Sequence, residues 1–173
     1  MGRVPPMDPD APRSRVYRAS EALAQTRGGR WTAINIAPPL DKLLLKLSGG
    51  RFGSFPGARA ALLTCPGRKT GTPRTTPLLY FTEDEDVILI ASSYGREKHP
   101  AWYRNAIAAE EVDFYVGPRG GRYRATEVTD PDERRRLYGR SFGIYAGYEG
   151  YEKRAGAAGR QIPVVRLTPL SPR

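Results

Sequence analysis

The strongest constraint on the fold of this chain is a series of short apolar segments joined by links too short for parallel pairing. The links between strand segments that form hairpins are all shorter than the dozen or more residues that a parallel crossover needs. The 16 prolines and 19 glycines provide turns at this density. We therefore predict antiparallel hairpins. The strand segments are 60–64, 74–81, 87–91, 112–116 and 122–128, and a final strand is predicted over 162–168.

Helical patterns are inserted among these strands. Residues 40–47 have apolar side chains at the i, i+3, i+4 and i+7 positions of an amphipathic helix. Asp130 followed by Pro131 and Glu133 resembles a capping box and predicts a helix running to about residue 142. Two further helices are expected over 14–26 and 100–109. Meandering strands with inserted helices predict an α+β class and a small barrel of antiparallel strands.

The chain is expected to hold one domain, over residues 14–173, after a disordered arm over residues 1–13 that contains four prolines and no apolar run. Neither a signal peptide nor a membrane span is visible, so we expect a cytoplasmic protein. The helix over 40–47 is expected to pack in the core. Peripheral membrane contact through it stays open as an alternative.

Cysteine and histidine content excludes several kinds of site. The single Cys65 cannot form an internal disulfide, and one cysteine with one histidine cannot build a zinc site of the usual kind, so no metal is expected. A Ser-His-Asp arrangement would have to use His99. No Gly-x-Ser-x-Gly turn accompanies that residue, which disfavours hydrolase chemistry of this type.

The net charge of +10 needs an explanation. Proteins that bind nucleic acid gather their charge on one helix or stripe with aromatic residues between, and no such element is evident, so no nucleic acid partner is expected. Most of the arginines are scattered along the chain. A local focus remains at Arg68, Lys69 and Arg74, beside Gly67 and Gly71. Such a loop is equally compatible with a phosphate or carboxylate cradle and with a plain basic hairpin turn.

Two aromatic segments could line a ligand pocket. Trp102 and Tyr103 follow the strand-end serines Ser92 and Ser93, but the residues alone favour ordinary core aromatics of a helix. Tyrosines at 145, 148 and 151 alternate with glycines. They indicate either a mobile aromatic lid or a packed aromatic cluster.

Taken together, these segments resemble the deazaflavin (coenzyme F420)-dependent nitroreductase and quinone reductase family. The resemblance runs in order from about residue 43 to residue 169 and rests on Leu62–Tyr80, Ala91–Ser93, His99–Tyr103 and Tyr148–Tyr151. It implies a split β-barrel that binds coenzyme F420, a deazaflavin with a phosphodiester and a polyglutamate tail. It is also consistent with an actinobacterial source, as is the excess of arginine over lysine.

The family's cofactor contacts match residues of three regions here. By resemblance, the cofactor-binding residues are Arg68, Lys69, Thr70 and Arg74 of the loop, Ile90, Ala91, Ser92 and Ser93 of the strand end, Ala101, Trp102, Tyr103, Arg104 and Asn105 of the helix, and Tyr148, which closes over the ring. The substrate side matches Tyr145 and Tyr151. The chain departs from the family at Ser93-Tyr94, where Asn or Lys followed by Gly is common, and at Glu110-Glu111, where Asn-Pro is common.

The resemblance implies hydride transfer from the reduced deazaflavin to a quinone, nitroaromatic or similar flat electron-poor acceptor. Tyr148, or a water held by Ser92, is the candidate for protonating or polarising that acceptor. An alternative on the same fold is a module that binds deazaflavin or a fatty acyl ligand without turning over a quinone. The oligomeric state is left open by the sequence.

Overall fold

The structure is a computed structural model that describes residues 3–12 and 61–170. Seven strands of the described part form one sheet: β1 (Ala61–Pro66), β2 (Pro73–Leu78), β3 (Phe81–Glu83), β4 (Asp86–Ile90), β5 (Glu111–Val116), β6 (Arg119–Glu127) and β7 (Val164–Pro169). Their order is β2-β1-β5-β6-β7-β4-β3, and every neighbouring pair is antiparallel. The antiparallel prediction is confirmed.

Three helices of the described part flank the sheet: α1 (Ala101–Ala109), α2 (Pro131–Arg140) and α3 (Gly147–Ala157). Helix α2 begins as predicted. The Asp130 side chain accepts hydrogen bonds from the backbone N–H groups of Asp132 and Glu133, which satisfies donors that the first turn of a helix leaves free. The predicted helices over 14–26 and 40–47 lie outside the described residues. No helix within 3–12 or 61–170 is both long and apolar enough to span a bilayer.

One predicted strand is divided in two. The sequence predicted a single strand over 74–81 paired with 87–91, but β2 pairs with β1 whereas Phe81 belongs to β3 and pairs with Ile88 of β4. Strands β2 and β3 occupy opposite ends of the sheet, yet only Leu79 and Tyr80 connect them. A span of three peptide units reaches at most about 11 Å. The two edges therefore lie close together, and the sheet curls into a split β-barrel.

Pro77 lies in β2, an edge strand of this sheet, as predicted from its missing N–H donor. The other strands begin and end within a few residues of their predicted bounds. The hairpin before β6 is tighter than expected, because β6 already begins at Arg119 instead of residue 122.

Residues on the two faces of the sheet enter two separate clusters. Val87, Leu89 and Ala91 of the β4 segment pack with Trp102 of α1 in what we call the barrel cluster. Ile88 and Ile90 point the other way and pack with residues of α2 and α3 in the helix-face cluster. This alternation follows from the two-residue period of a strand. The end of β4 is thus the place where both clusters meet.

Residues 3–12, which we call the N-terminal strap, pack against the sheet although the sequence predicted disorder there. The Tyr80 hydroxyl donates to the carbonyl of Pro5 at 2.9 Å, and the Thr82 N–H donates to the carbonyl of Met7 at 2.9 Å. Val4 is buried in the barrel cluster. Four prolines and the lack of an apolar run suggested disorder, but the carbonyls of Pro5 and Met7 accept hydrogen bonds from distant parts of the chain.

Candidate functional site

The β1–β2 loop is closed by its own backbone. The Gly67 N–H donates to the Thr72 carbonyl at 2.9 Å, and the Gly71 N–H donates to the Gly67 carbonyl at 2.7 Å. Gly71 has φ +67°, a conformation that glycine adopts without steric cost. The loop is therefore a defined turn, and its side chains project from a fixed backbone.

The cationic side chains in and beside this loop are exposed and have no carboxylate partner among residues 3–12 and 61–170. Arg68, Lys69 and Arg74 are all exposed. The ion pairs formed within residues 3–12 and 61–170 involve other cations. Arg74 nevertheless lies close to the loop, because a Cβ on Gly67 would be 3.6 Å from the Arg74 Cγ. The loop thus offers three uncompensated positive charges to an anion.

A hydrogen bond attaches the loop to α1. The backbone N–H of Arg68 donates to the Asn105 Oδ1 at 3.1 Å, across 37 positions of sequence. The structure therefore brings together two groups of residues that the sequence analysis had singled out separately. Thr70 is exposed in the same loop.

The remaining residues of α1 divide between the core and the surface. Trp102 is buried in the barrel cluster, the ordinary core position that the residues alone favoured. The Tyr103 hydroxyl donates to the Glu127 carboxylate at 2.6 Å, and burial together with that bond raises the pKa of Tyr103 to about 12. Ala101 and Arg104 are exposed.

The end of β4 leads into a left-handed turn. Ile90 and Ala91 are buried on opposite faces of the sheet, Ser92 is half-buried, and Ser93, Tyr94 and Gly95 then have φ values of +49°, +57° and +74°. Positive φ is strained for side chains other than Gly, Asn and Asp. Asn or Gly would adopt these dihedrals more readily, so Ser93 and Tyr94 form this turn at a conformational cost.

Contacts with α3 hold the turn in place. A Cβ on Gly95 would lie 2.8 Å from the Tyr151 carbonyl oxygen, so only glycine fits there. The rings of Tyr94 and Tyr151 meet edge to face with centroids 5.9 Å apart. Such aromatic pairs contribute about 0.5–1.5 kcal/mol beyond their burial, comparable with the strain that they offset.

The three tyrosines before and within α3 form a packed cluster. Their ring centroids lie 5.5 Å (Tyr145–Tyr148), 5.9 Å (Tyr145–Tyr151) and 5.9 Å (Tyr148–Tyr151) apart, and all three side chains are buried. The Tyr151 hydroxyl donates to that of Tyr145 at 3.3 Å, and burial raises the pKa of Tyr151. Of the two alternatives left open by the sequence, the structure has the packed cluster.

The residues singled out in the sequence therefore form two groups. The loop and α1 make one group through the Arg68–Asn105 bond. The end of β4, its left-handed turn and α3 make the other. Trp102 and Tyr148 belong to different clusters on opposite faces of β4. The described part holds no group of three or more His, Cys, Asp or Glu side chains arranged for a metal ion.

Comparison with known proteins identifies the family. The sequence model of the F420H(2)-dependent quinone reductase family matches residues 41–169. The F420H(2)-dependent quinone reductase Rv1261c of Mycobacterium tuberculosis is 33% identical over 146 residues, which cover 80% of this chain and 96% of that protein. The chain belongs to the F420H(2)-dependent quinone reductase family.

A solved structure described as the F420-H2 dependent reductase FDR-A is 29% identical, with a TM-score of 0.55. The match covers 62% of this chain and 92% of that one. The family assignment and the α+β split-barrel fold therefore agree, and the fold implied by the resemblance is confirmed.

One residue that the sequence did not single out, Arg160, contacts the end of β4 in this family member. Arg160 is only 7% exposed. Its guanidinium donates to the carbonyls of Ala91 at 3.3 Å and Ser92 at 2.5 Å. No local pattern distinguishes Arg160 from the other arginines of the chain, because its partners lie almost 70 positions away.

Proposed function

We propose that the chain transfers a hydride from reduced coenzyme F420 to a quinone, with nitroaromatics and similar flat electron-poor compounds as further acceptors. Family membership makes the chain an enzyme of the F420H(2)-dependent quinone reductase type, with reduced F420 as its cofactor. When bound, the deazaflavin supplies the hydride, and the protein supplies binding, orientation and a dry environment.

The observation that carries the proposal is the set of cations at the β1–β2 loop that have no carboxylate partner within the described part of the chain. Arg68 and Lys69 are exposed on a loop whose backbone is fixed, and Arg74 is exposed beside it at the start of β2. A phosphodiester and a polyglutamate tail are anionic, so they suit this loop better than a neutral ligand would. Hydrogen bonds to charged groups contribute about 1.5–3 kcal/mol each, enough for a few of them to anchor a cofactor. Thr70 would add a hydroxyl donor.

We propose that the ring of the cofactor is held between the end of β4 and α1. The proposed contacts at the strand end are Ile90, Ala91, Ser92 and Ser93. The proposed contacts on α1 are Ala101, Trp102, Tyr103, Arg104 and Asn105. The Arg68–Asn105 bond supports this arrangement, because it joins the anion-binding loop to the helix that would contact the ring.

The tyrosine cluster is proposed to serve the acceptor side. Tyr148 would contact the ring and donate a proton to the reduced acceptor, or a water held by Ser92 would do so. Tyr145 and Tyr151 would contact the acceptor. Orienting two flat reactants can lower the activation barrier by several kcal/mol. A packed aromatic wall would orient them without having to close over them. Both hydroxyls of the Tyr151–Tyr145 pair are buried, which keeps water away from that wall.

A titration with reduced F420, FMN and NADPH side by side tests cofactor choice, with quenching of deazaflavin fluorescence as the signal. We expect F420 to bind and FMN to bind weakly; tight FMN binding without F420 binding would overturn the proposal. A steady-state assay of F420 oxidation with a quinone and with a nitroaromatic follows. Binding of F420 without oxidation by either acceptor would assign the alternative, a binding module.

A further inference from the structure

Arg160 and His99 form a contact that the proposed chemistry does not use. The Arg160 guanidinium lies 3.2 Å from the His99 Nδ1 through the same nitrogen that donates to the Ala91 carbonyl. Arg160 has no carboxylate partner among the described residues. Its Nε is buried and has no hydrogen-bond partner there. A buried cation without an ion pair is costly, so its three polar contacts are the reason it can be accommodated.

The chemistry of the two side chains fixes the direction of this bond. A guanidinium only donates and does not lose its proton in proteins. The His99 Nδ1 must therefore be the acceptor, and the ring carries its proton on Nε2. Protonation of Nδ1 would place two donors face to face and a second cation beside Arg160.

We propose that Arg160 is a positioning residue that fixes the end of β4 and holds His99 as a neutral imidazole with its proton on Nε2. It acts through the Ala91 and Ser92 carbonyls and not by touching a reactant. Since His99 directly precedes Pro100, the N-cap of α1, the same side chain also fixes the beginning of that helix. Arg160 thereby connects the two groups of site residues. Through Ser92 it contacts the group at the end of β4, and through His99 it contacts the group formed by the loop and α1.

The surroundings of His99 favour the neutral form. His99 lines a cleft of about 480 Å³ together with Glu97, Tyr103, Glu127 and Gln161. Burial lowers the pKa of His99, the charges of Arg160 and Arg104 lower it further, and Glu127 opposes them. The carboxylate of Glu127 is already engaged by the Tyr103 hydroxyl. A neutral His99 with its proton on Nε2 gives the cleft a hydrogen-bond donor.

The first test uses the unliganded protein and does not depend on the proposed function. His99 is the sole histidine of the chain, so its ring gives one unambiguous set of nitrogen signals in NMR. We expect the Nε2–H tautomer and a pKa below the ordinary histidine value. A proton on Nδ1, or titration at or above the ordinary histidine pKa, would overturn the proposal.

The second test compares Arg160→Met and Arg160→Lys with Arg135→Met, an exposed control on α2. In Arg160→Met we expect the His99 pKa to rise toward its ordinary value and the tautomer to become mixed. Arg160→Lys keeps the charge and part of the hydrogen bonding. In this variant we expect the lowered His99 pKa and the Nε2–H tautomer to be largely retained. If His99 is unchanged in a folded Arg160→Met, the proposal fails. If that variant does not fold, the wild-type tautomer and Arg160→Lys decide.

The third test links Arg160 to the site and rests on the proposed function. We expect F420 binding to weaken about tenfold in Arg160→Met, the usual order for disturbing buried hydrogen bonds, and to become pH-dependent where His99 titrates. The control should bind as the wild type does. Unchanged and pH-independent binding in Arg160→Met would overturn the link. Absence of F420 binding in the wild type itself would instead refute the proposed function and leave the NMR result standing.

Discussion

Two regions of the molecule gather positive charge, and they differ in whether that charge is neutralised. On the β1–β2 loop, Arg68, Lys69 and Arg74 have no carboxylate partner within the described residues. Around Glu83, by contrast, three arginines are paired: Arg136 at 2.5 Å, Arg140 at 3.1 Å and Arg166 at 3.2 Å. We call this second region the Glu83 network. Arg166 also pairs with Asp86 at 2.6 Å and with Glu133 at 2.6 Å.

This difference between paired and unpaired cations shows that the net charge of +10 does not by itself indicate a function. The Glu83 network joins α2 to strands β3, β4 and β7, so its charges serve the fold. Hydrogen bonds from Arg136 and Arg166 lower the pKa of Glu83 to about 2 even though burial opposes them. Only cations left without partners are available to an anionic ligand. The comparison predicts that the two regions can be damaged independently.

The largest expected effect is on cofactor affinity. Arg68→Gln removes one cation from the loop and should weaken F420 binding about ten- to a hundredfold, because a charged hydrogen bond contributes about 1.5–3 kcal/mol. The free energy of unfolding should not change, since Arg68 forms no ion pair with any described residue. Fluorescence titration and urea unfolding measure the two quantities. Arg136→Gln is the matched control, and equal loss of affinity in both variants would erase the distinction between the regions.

The converse change breaks the Glu83 network. Glu83→Gln leaves three guanidinium groups without their shared carboxylate, and we expect a loss of about 1–3 kcal/mol in the free energy of unfolding. Affinity for F420 should remain within a factor of two or so of the wild type by this reasoning. Urea unfolding and the same titration measure both. A stability equal to that of the wild type would show that the network contributes nothing.

Lowering the pH tests the contribution of the Glu83 network, because the pKa of Glu83 in the folded protein is lowered to about 2 from an ordinary value of 4.5. The stability that this shift contributes is fully present above pH 4.5 and is lost as the pH falls toward 2. The difference in unfolding free energy between the wild type and Glu83→Gln should therefore shrink across that window. Urea unfolding at several pH values measures it. A difference that grows on acidification would contradict the sign.

The smallest expected effect concerns the attachment of the loop. Asn105→Ala removes the acceptor of the Arg68 backbone N–H and should weaken F420 binding only a few-fold, since an exposed neutral hydrogen bond contributes about 0.5–1.5 kcal/mol. Ala108→Ser, on the exposed side of the same helix, is a control for changes on the surface of α1. A hundredfold loss in Asn105→Ala would mean that loop position, and not loop charge, dominates affinity.

The sequence revealed the loop but not the Glu83 network, and the reason is distance along the chain. The loop's glycines and cations fall within eight residues, so a local pattern displays them. Glu83 and Arg166 are 83 positions apart, and only the pairing of β4 with β7 brings them together. The N-terminal strap was hidden for the same reason, because its partners Tyr80 and Thr82 are 75 positions away.

The sequence also did not predict the backbone conformation of the turn after β4 or the arrangement of the tyrosine segment. An apolar run predicted β4, and a helix beginning at Pro100 was predicted where α1 lies, yet nothing in Ser93-Tyr94 itself indicates a left-handed turn. The tyrosine spacing left a lid and a packed cluster equally open. The close fit of Gly147 against the Tyr145 ring, where a Cβ would lie 2.2 Å from a ring carbon, is visible only in three dimensions.

The short connection between the two sheet edges has a mechanical consequence. Leu79 and Tyr80 tie the end of β2 to the start of β3, whereas the Gly67–Gly71 loop lies at the other end of β2. At this connection the gap between the two edges cannot widen beyond the reach of two residues. This covalent limit is weakest at the far end of β2, next to the basic loop. The cations proposed to bind the anionic part of the cofactor therefore lie at the end of β2 that this connection does not hold.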